Sequence, residues 1–328
     1  MLTFALLLAA SGFLYEDPVA DRQIRETLGA TYNLQWDAAR RSARRLQQSH
    51  PLHPAGYLLE AETYWWEALA DPGNGAIEQA YYSAQKMAVN KAEAALLKGD
   101  YPRTELLADL GSAYGGYARF QVTQKGAYFS ALRAGLKAHG YAAQVYRLDS
   151  SYYDVYVGLG AYNYFTGTLP AVIRPFAYLI GVRGNRETGL EQLRLAVEKG
   201  RYARTEAQIV QYTILLQEKR FTEAFSLLRS LMTQFPDNQV LLTWAAAWFT
   251  RQDQQRQGMD YFEQMAQEQA GRSSLMEKYA LLEKARFQAA LRQNDAARST
   301  LQRLQKIPGD DKYLPRRVAA LEKMLSGP

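Results

Sequence analysis

The chain has 328 residues, 48% of them hydrophobic and 22% charged, a composition that buries a core and leaves no block polar enough to stay disordered. It contains no cysteine, which excludes disulfides, thiolate nucleophiles, thiolate-ligated zinc and a lipid-modified N-terminal cysteine. The formal charge of +6 is a weak pointer to acidic partners, since Lys and Arg read as scattered among Asp and Glu along the sequence, and Ala and Leu so outnumber Ile and Val that helices rather than strands are expected.

Residues 1–10 form an apolar run closed by Ser11-Gly12, which reads as the later part of a signal peptide although no Lys or Arg precedes it. About ten apolar residues are half of what a membrane-spanning helix needs. The expectation is an exported or periplasmic protein with residues 1–12 removed; the location is cytoplasmic if that segment is not a signal.

From Trp36 the chain takes on a period. Trp36-Asp37-Ala38-Ala39 is followed by Ala43, Leu46 and Pro51, and Phe221-Thr222-Glu223-Ala224 by Leu228, Leu231 and Pro236. Steps of four and three keep these residues on one helical face, and the proline ends the run. Arg40-Arg41 and Arg44-Arg45 lie on the first of these helices as a basic stripe, which reads as a solvated face. Nucleic-acid binding would need a basic face continued over several elements and is set aside. After each proline a large, small, large face follows: Tyr57, Ala61 and Tyr64 in one case, Leu242, Ala246 and Phe249 in the other. Helical patterns longer than 20 residues are expected at 76–98 and 126–148. The large-small face returns at Leu107, Gly111 and Tyr114, and at Tyr156 with Gly160. Ala138-Ala142-Val145, Gly189-Leu193-Ala196, Gly258-Phe262-Met265 and Ala297-Leu301-Leu304 keep the four-then-three spacing of the second helices. A Gly or Ala where two helices cross lets their axes approach, and a facing aromatic fills the remaining volume.

Leu110-Gly111-Ser112-Ala113-Tyr114, with the spaced alanine and aromatic positions before a proline, resembles the tetratricopeptide repeat, as found in a divergent bacterial exported protein. The resemblance implies an all-α, right-handed α-solenoid of antiparallel helix pairs. A single repeat domain is expected over residues 13–328, most regular near 22–70 and 204–306, with an irregular middle. Between Gly167 and Gly184 the pattern fails: the insertion is almost wholly apolar, and Pro170 and Pro175 interrupt any helix. An internal plug is the favoured reading, since apolar insertions usually bury themselves; a partner-binding lip and a membrane-surface contact through 168–182 are the others.

Few residues of the chain stand in a pattern that carries chemistry. His50-Pro51-Leu52-His53-Pro54 is the one histidine pair, and it reads as structural. No nucleophile elbow, phosphate loop or zinc ligand set is present, so no enzyme, cofactor or metal is expected. Tyr and Trp cluster at 64–66, 81–82, 152–156 and 162–165. In the family, first helices line the concave surface one position beyond each packing residue. That rule selects Glu62, Trp65, Asp154, Tyr164 and Arg251 as the residues that meet a partner. A protein or peptide partner is the implied ligand, which makes the chain an interaction scaffold. The alternative is a glycan or small-ligand binder whose tyrosine-lined pocket is roofed by the 167–184 insertion.

Overall fold

The computed structural model describes residues 13–172, 174–179, 181–309 and 311–326. The expected signal segment, residues 1–12, lies outside them. The described chain is all-α and has no strand. Residue contacts gather into two compact units, one of residues up to 31, 35–68 and 73–211, the other of residues 32–34, 69–72 and 212 onward.

Unit 1 runs through α1 (Pro18–Tyr32), α2 (Trp36–Ser49), α3 (Ala55–Ala70), α4 (Gly75–Lys98), α5 (Arg103–Phe120), α6 (Tyr128–Leu148), α7 (Tyr156–Gly167), a short α8 (Arg174–Leu179), α9 (Arg186–Lys199) and the start of α10 (Arg204–Gln217). The two long helices are α4 and α6, as their sequence patterns predict. On α4, Ile77, Tyr81, Ala84, Ala88, Ala92 and Ala95 are buried at steps of four and three, so one narrow stripe of small residues seats 24 residues of helix. Asn74 caps its first turn and Gly99, at φ 73°, closes its last. Between α5 and α6 the chain makes a π-helical turn, Gln121–Lys125. Such single π turns are rare and gather at functional or strained positions.

Unit 2 continues with α11 (Phe221–Gln234), α12 (Gln239–Arg251), α13 (Gln255–Gln269), α14 (Ser274–Ala290), α15 (Asn294–Gln305) and α16 (Leu314–Ser326). Each helix packs on its sequence neighbours, and α14 also touches α12 and α16. This is the packing of a helical repeat array.

The backbone marks the repeat where the side chains do not. Leu34, Lys219, Asp253 and Arg292 all have φ between 55° and 60°, left-handed values that non-glycine residues seldom adopt. Each sits between the two helices of a pair, and the next residue's N–H donates back five positions: Gln35 to Ala30, Arg220 to Leu215, Gln254 to Phe249, Gln293 to Gln288, at 2.8–2.9 Å. Five residues after each left-handed position comes the small packing residue, Ala39, Ala224, Gly258 or Ala297, and four further on a buried Ala43, Leu228, Phe262 or Leu301. The last member of the third series is Ala266; Met265, expected there, is half-buried.

The predicted small-residue crossings are close backbone approaches. A Cβ on Gly189 of α9 would stand 2.5 Å from the Tyr164 backbone nitrogen of α7, and one on Gly160 would stand 2.9 Å from the Gly189 carbonyl oxygen. Neither helix can withdraw without opening the core between Leu159 and Leu193, both buried. Gly189→Ala is therefore expected to destabilise unit 1 by about 2–4 kcal/mol. Gly135→Ala, in open space on α6, is expected to stabilise it by about 0.5–1 kcal/mol. Urea denaturation of the two variants separates the effects; equal midpoints would remove the claim that α7 and α9 meet backbone to backbone.

Candidate functional site

Two of the five expected partner residues, Glu62 and Trp65, come together on α3, but around a half-buried arginine. Arg119, near the end of α5, reaches Glu62 with one terminal nitrogen and Glu206 of α10 with the other at 2.5 Å. Its guanidinium lies 3.6 Å from the centre of the Trp65 ring. Trp65 is buried, and its Nε1 donates toward Thr123 of the π turn at 3.4 Å. Trp66 Nε1 donates to the other oxygen of Glu62 at 3.1 Å. Burial opposes the charge on Arg119, yet Glu206 and Glu62 hold its pKa above the ordinary arginine range, so it remains a cation. Burial also pushes Glu62 up from the usual carboxylate range, against the pull of Arg119. The arrangement locks three helices and the π turn; it offers little to a partner.

Asp154 and Tyr164 are likewise internal supports. The Asp154 carboxylate accepts the backbone N–H groups of Tyr202 and Ala203 at 3.0 and 3.1 Å, where the chain enters α10. Burial raises its pKa against those hydrogen bonds. Tyr164, expected on an exposed face, is buried, and its backbone is in close contact with Gly189 of α9.

The histidine pair has partners that lie far away in sequence. His53 is buried, with Nδ1 accepting from the Ala55 N–H at 3.1 Å, so a neutral imidazole carries its proton on Nε2. Nε2 is 3.7 Å from Glu105, and Nδ1 is 3.8 Å from Asp109, both on α5. Glu105 is occupied by the Leu14 N–H at 3.0 Å, whereas the buried Oδ2 of Asp109 and the Nε2 of His53 have no hydrogen-bond partner. Burial, reinforced by the charge of Glu105 against the pull of His53, raises the Asp109 pKa to about 7. Glu60 and Glu62, the acids nearest His53 in sequence, pair instead with Arg44 and Arg119. The basic stripe on α2 is also less free than expected, because Arg40 binds the buried Glu67 at 2.6 Å.

Most described side chains of the 167–184 insertion lie outside the core. Val182 is buried, but Val172 is 77% and Leu179 83% exposed, and Tyr178 is exposed as well. The plug reading fails at these positions. The two best-formed depressions among the described residues are shallow and open, one along α4 from Gly75 to Lys86 and one along α11 from Thr222 to Thr233. Neither is roofed by the insertion.

The fifth residue, Arg251, is exposed at the end of α12 in unit 2. Thr243, Ala247 and Arg251 follow one another at steps of four, facing the same way. Trp244 stacks on Tyr212 with ring centres 5.6 Å apart and planes 5° from parallel. Burial raises the Tyr212 pKa to about 12, with Arg251 pulling the other way. On the neighbouring α14, the buried Glu283 holds Arg286 at 2.9 Å and Arg317 of α16 at 3.4 Å. Arg317 also donates to the Thr243 hydroxyl at 3.0 Å. Its reach to both α12 and α14 identifies this as the face on which alternate helices meet. The glutamate and the two other arginines were missed in sequence; their helix-pair positions carried the signal, but their convergence did not. Compared with protein-family models and with curated proteins, the sequence matches none of either.

Proposed function

We propose that the chain is a non-catalytic scaffold of tetratricopeptide-like repeats that holds a polypeptide partner on the face of unit 2 formed by α12, α14 and α16. The observation that supports this is the arginine group around Glu283. A buried carboxylate fixes Arg286 and Arg317, so both guanidiniums are pre-oriented and lose little freedom on binding. Arg286 is half-exposed, Arg251 adds a second exposed cation on α12, and the half-buried Trp244, stacked on the buried Tyr212, supplies apolar area. Such a strip suits a segment that alternates acidic and apolar side chains. An exported or periplasm-facing location goes with this proposal, supported by the apolar run that ends at Ser11-Gly12.

A photo-crosslinking residue at Ala247, which is exposed between Thr243 and Arg251, tests the assignment in the native host, with one at the exposed Glu268 of α13 as control. A discrete polypeptide adduct at 247 that is absent at 268 and falls at least about tenfold in an Arg251→Ala, Arg286→Ala background is expected. Identical adducts at both positions, or none at 247, would remove the proposal.

A further inference from the structure

The net charge of the chain is not spread along it as its sequence first suggested. Residues 110–186 contain eight Lys and Arg against Asp149 and Asp154, so this stretch carries the whole formal charge of +6 and the remainder is neutral. The same stretch carries the most exposed aromatic residues. Tyr128 and Phe129, on the first turn of α6, are 72% and 75% exposed, with Val122 and Leu132 exposed beside them in sequence. Exposed aromatic pairs of this kind are uncommon without something to cover them.

The fold brings the exposed aromatic pair and half of these cations to one end of the α6–α7 hairpin. Tyr146 meets Tyr156 with ring centres 5.8 Å apart, and His139 stacks on Tyr162 at 3.6 Å, which fixes an antiparallel register. Extended by two turns, that register sets Tyr128–Leu132 level with the residues that follow α7. The insertion leaves and returns at this same end. A Cβ on Gly184 would stand 2.8 Å from the Gly167 nitrogen, and one on Gly167 would stand 2.7 Å from the Arg186 nitrogen. The described residues between these two glycines therefore belong to a lobe with a closed root, presenting Val172, Tyr178 and Leu179. The cations at this end are Lys125, Arg133, Arg174 and Arg183. Arg183 lies 5.7 Å over the Tyr178 ring, and Arg174 donates to the Leu169 carbonyl oxygen. Asp149 and Asp154 lie at the opposite end of the hairpin. Lys125 is bound to Glu78, and Arg186 lies beside Glu187.

We infer that the lobe and the first turn of α6 rest together on the surface of a bilayer containing anionic phospholipid. Aromatic and aliphatic side chains enter the boundary between headgroups and acyl chains, while Arg and Lys around them meet the lipid phosphates. The mode is lying on, since no helix among the described residues is long and apolar enough to cross a membrane. This surface is built from residues of unit 1 and the polypeptide strip from residues of unit 2, so this inference stands or falls independently of the proposed polypeptide docking.

The absence of cysteine makes the test clean. Single cysteines at Phe129, Val172 and Leu179, and a control at Leu97, which is 91% exposed on α4, are labelled with an environment-sensitive fluorophore. They are mixed with vesicles of phosphatidylcholine alone or with about 30% phosphatidylglycerol. Blue-shifted emission at 129, 172 and 179 but not at 97, with the anionic vesicles, is expected. Arg174→Glu, Arg183→Glu is expected to lower flotation with those vesicles at least about tenfold without moving the thermal unfolding midpoint. Equal binding to both vesicle types, or a shift at 97 equal to the others, overturns the inference. A shift that depends on protein concentration and not on vesicles assigns the face to a second copy of the chain and also overturns it.

Discussion

Arg119→Ala is expected to lower the unfolding free energy of unit 1 by about 2–4 kcal/mol, because it leaves two half-buried carboxylates without their counter-charge. Glu62 and Glu206 approach the same guanidinium from two helices, and their mutual repulsion is unopposed once it is gone. The loss of the Trp65 ring contact adds to this, since a cation held 3.6 Å from an indole centre and shielded from water contributes more than one at the surface. Arg119→Lys should recover a minor part, as an ammonium cannot reach both acids and stack at once. The informative variant is triple: Arg119→Met with Glu62→Gln and Glu206→Gln removes the charges together and is expected to be more stable than Arg119→Ala. Urea denaturation followed by tryptophan fluorescence reads the series. If the triple variant were the weaker, the destabilisation would come from lost packing and the electrostatic account would be wrong.

Asp109→Asn is expected to stabilise the protein at pH 8 and to do almost nothing near pH 4. The Asp109 carboxyl titrates near 7 in the folded chain and, in an unfolded one, at about 3.9. Between those values the folded state keeps a proton that the unfolded state has lost, so stability falls as pH rises through that window and the penalty is complete above 7. Three pKa units correspond to about 4 kcal/mol, and since the side chain keeps some contact with solvent, a gain of about 2–4 kcal/mol at pH 8 is the expected size. Melting temperatures of wild type and variant at pH 4, 6 and 8 check this. A constant offset between the two would mean that Asp109 is ionised throughout.

The repeat was legible because its rule is local. Steps of four and three around Ala39, Ala224, Gly189 and Ala297 predicted which residues are buried, and the long helices appeared where the pattern outran a standard repeat. The turns were not legible, because they use Leu34, Lys219, Asp253 and Arg292 where glycine would have announced a left-handed residue. The charged clusters escaped for a different reason. His53 meets Glu105 and Asp109, and Glu62 meets Arg119 and Glu206, across separations that no spacing rule spans. Trp65 and Tyr164 were placed on an open face by a rule that counts positions along one helix. Both are buried, with the Arg119 side chain over the ring of the first and Gly189 of another helix in close contact with the backbone of the second. The positive middle of the chain was present in the sequence all along and is visible only when charge is summed over segments instead of inspected cluster by cluster.

The four left-handed turns bear on how the chain is made. Each needs only its own hydrogen bond across five residues, and the helices α11 to α16 touch partners that are adjacent or next but one along the chain. The pairs within α11 to α16 can close on local contacts, while Tyr32, whose carbonyl oxygen accepts from Asn238, and Asp71, which binds Arg316, are distant segments that dock on them. During synthesis each pair can settle on the one before it while later residues are still in the ribosome.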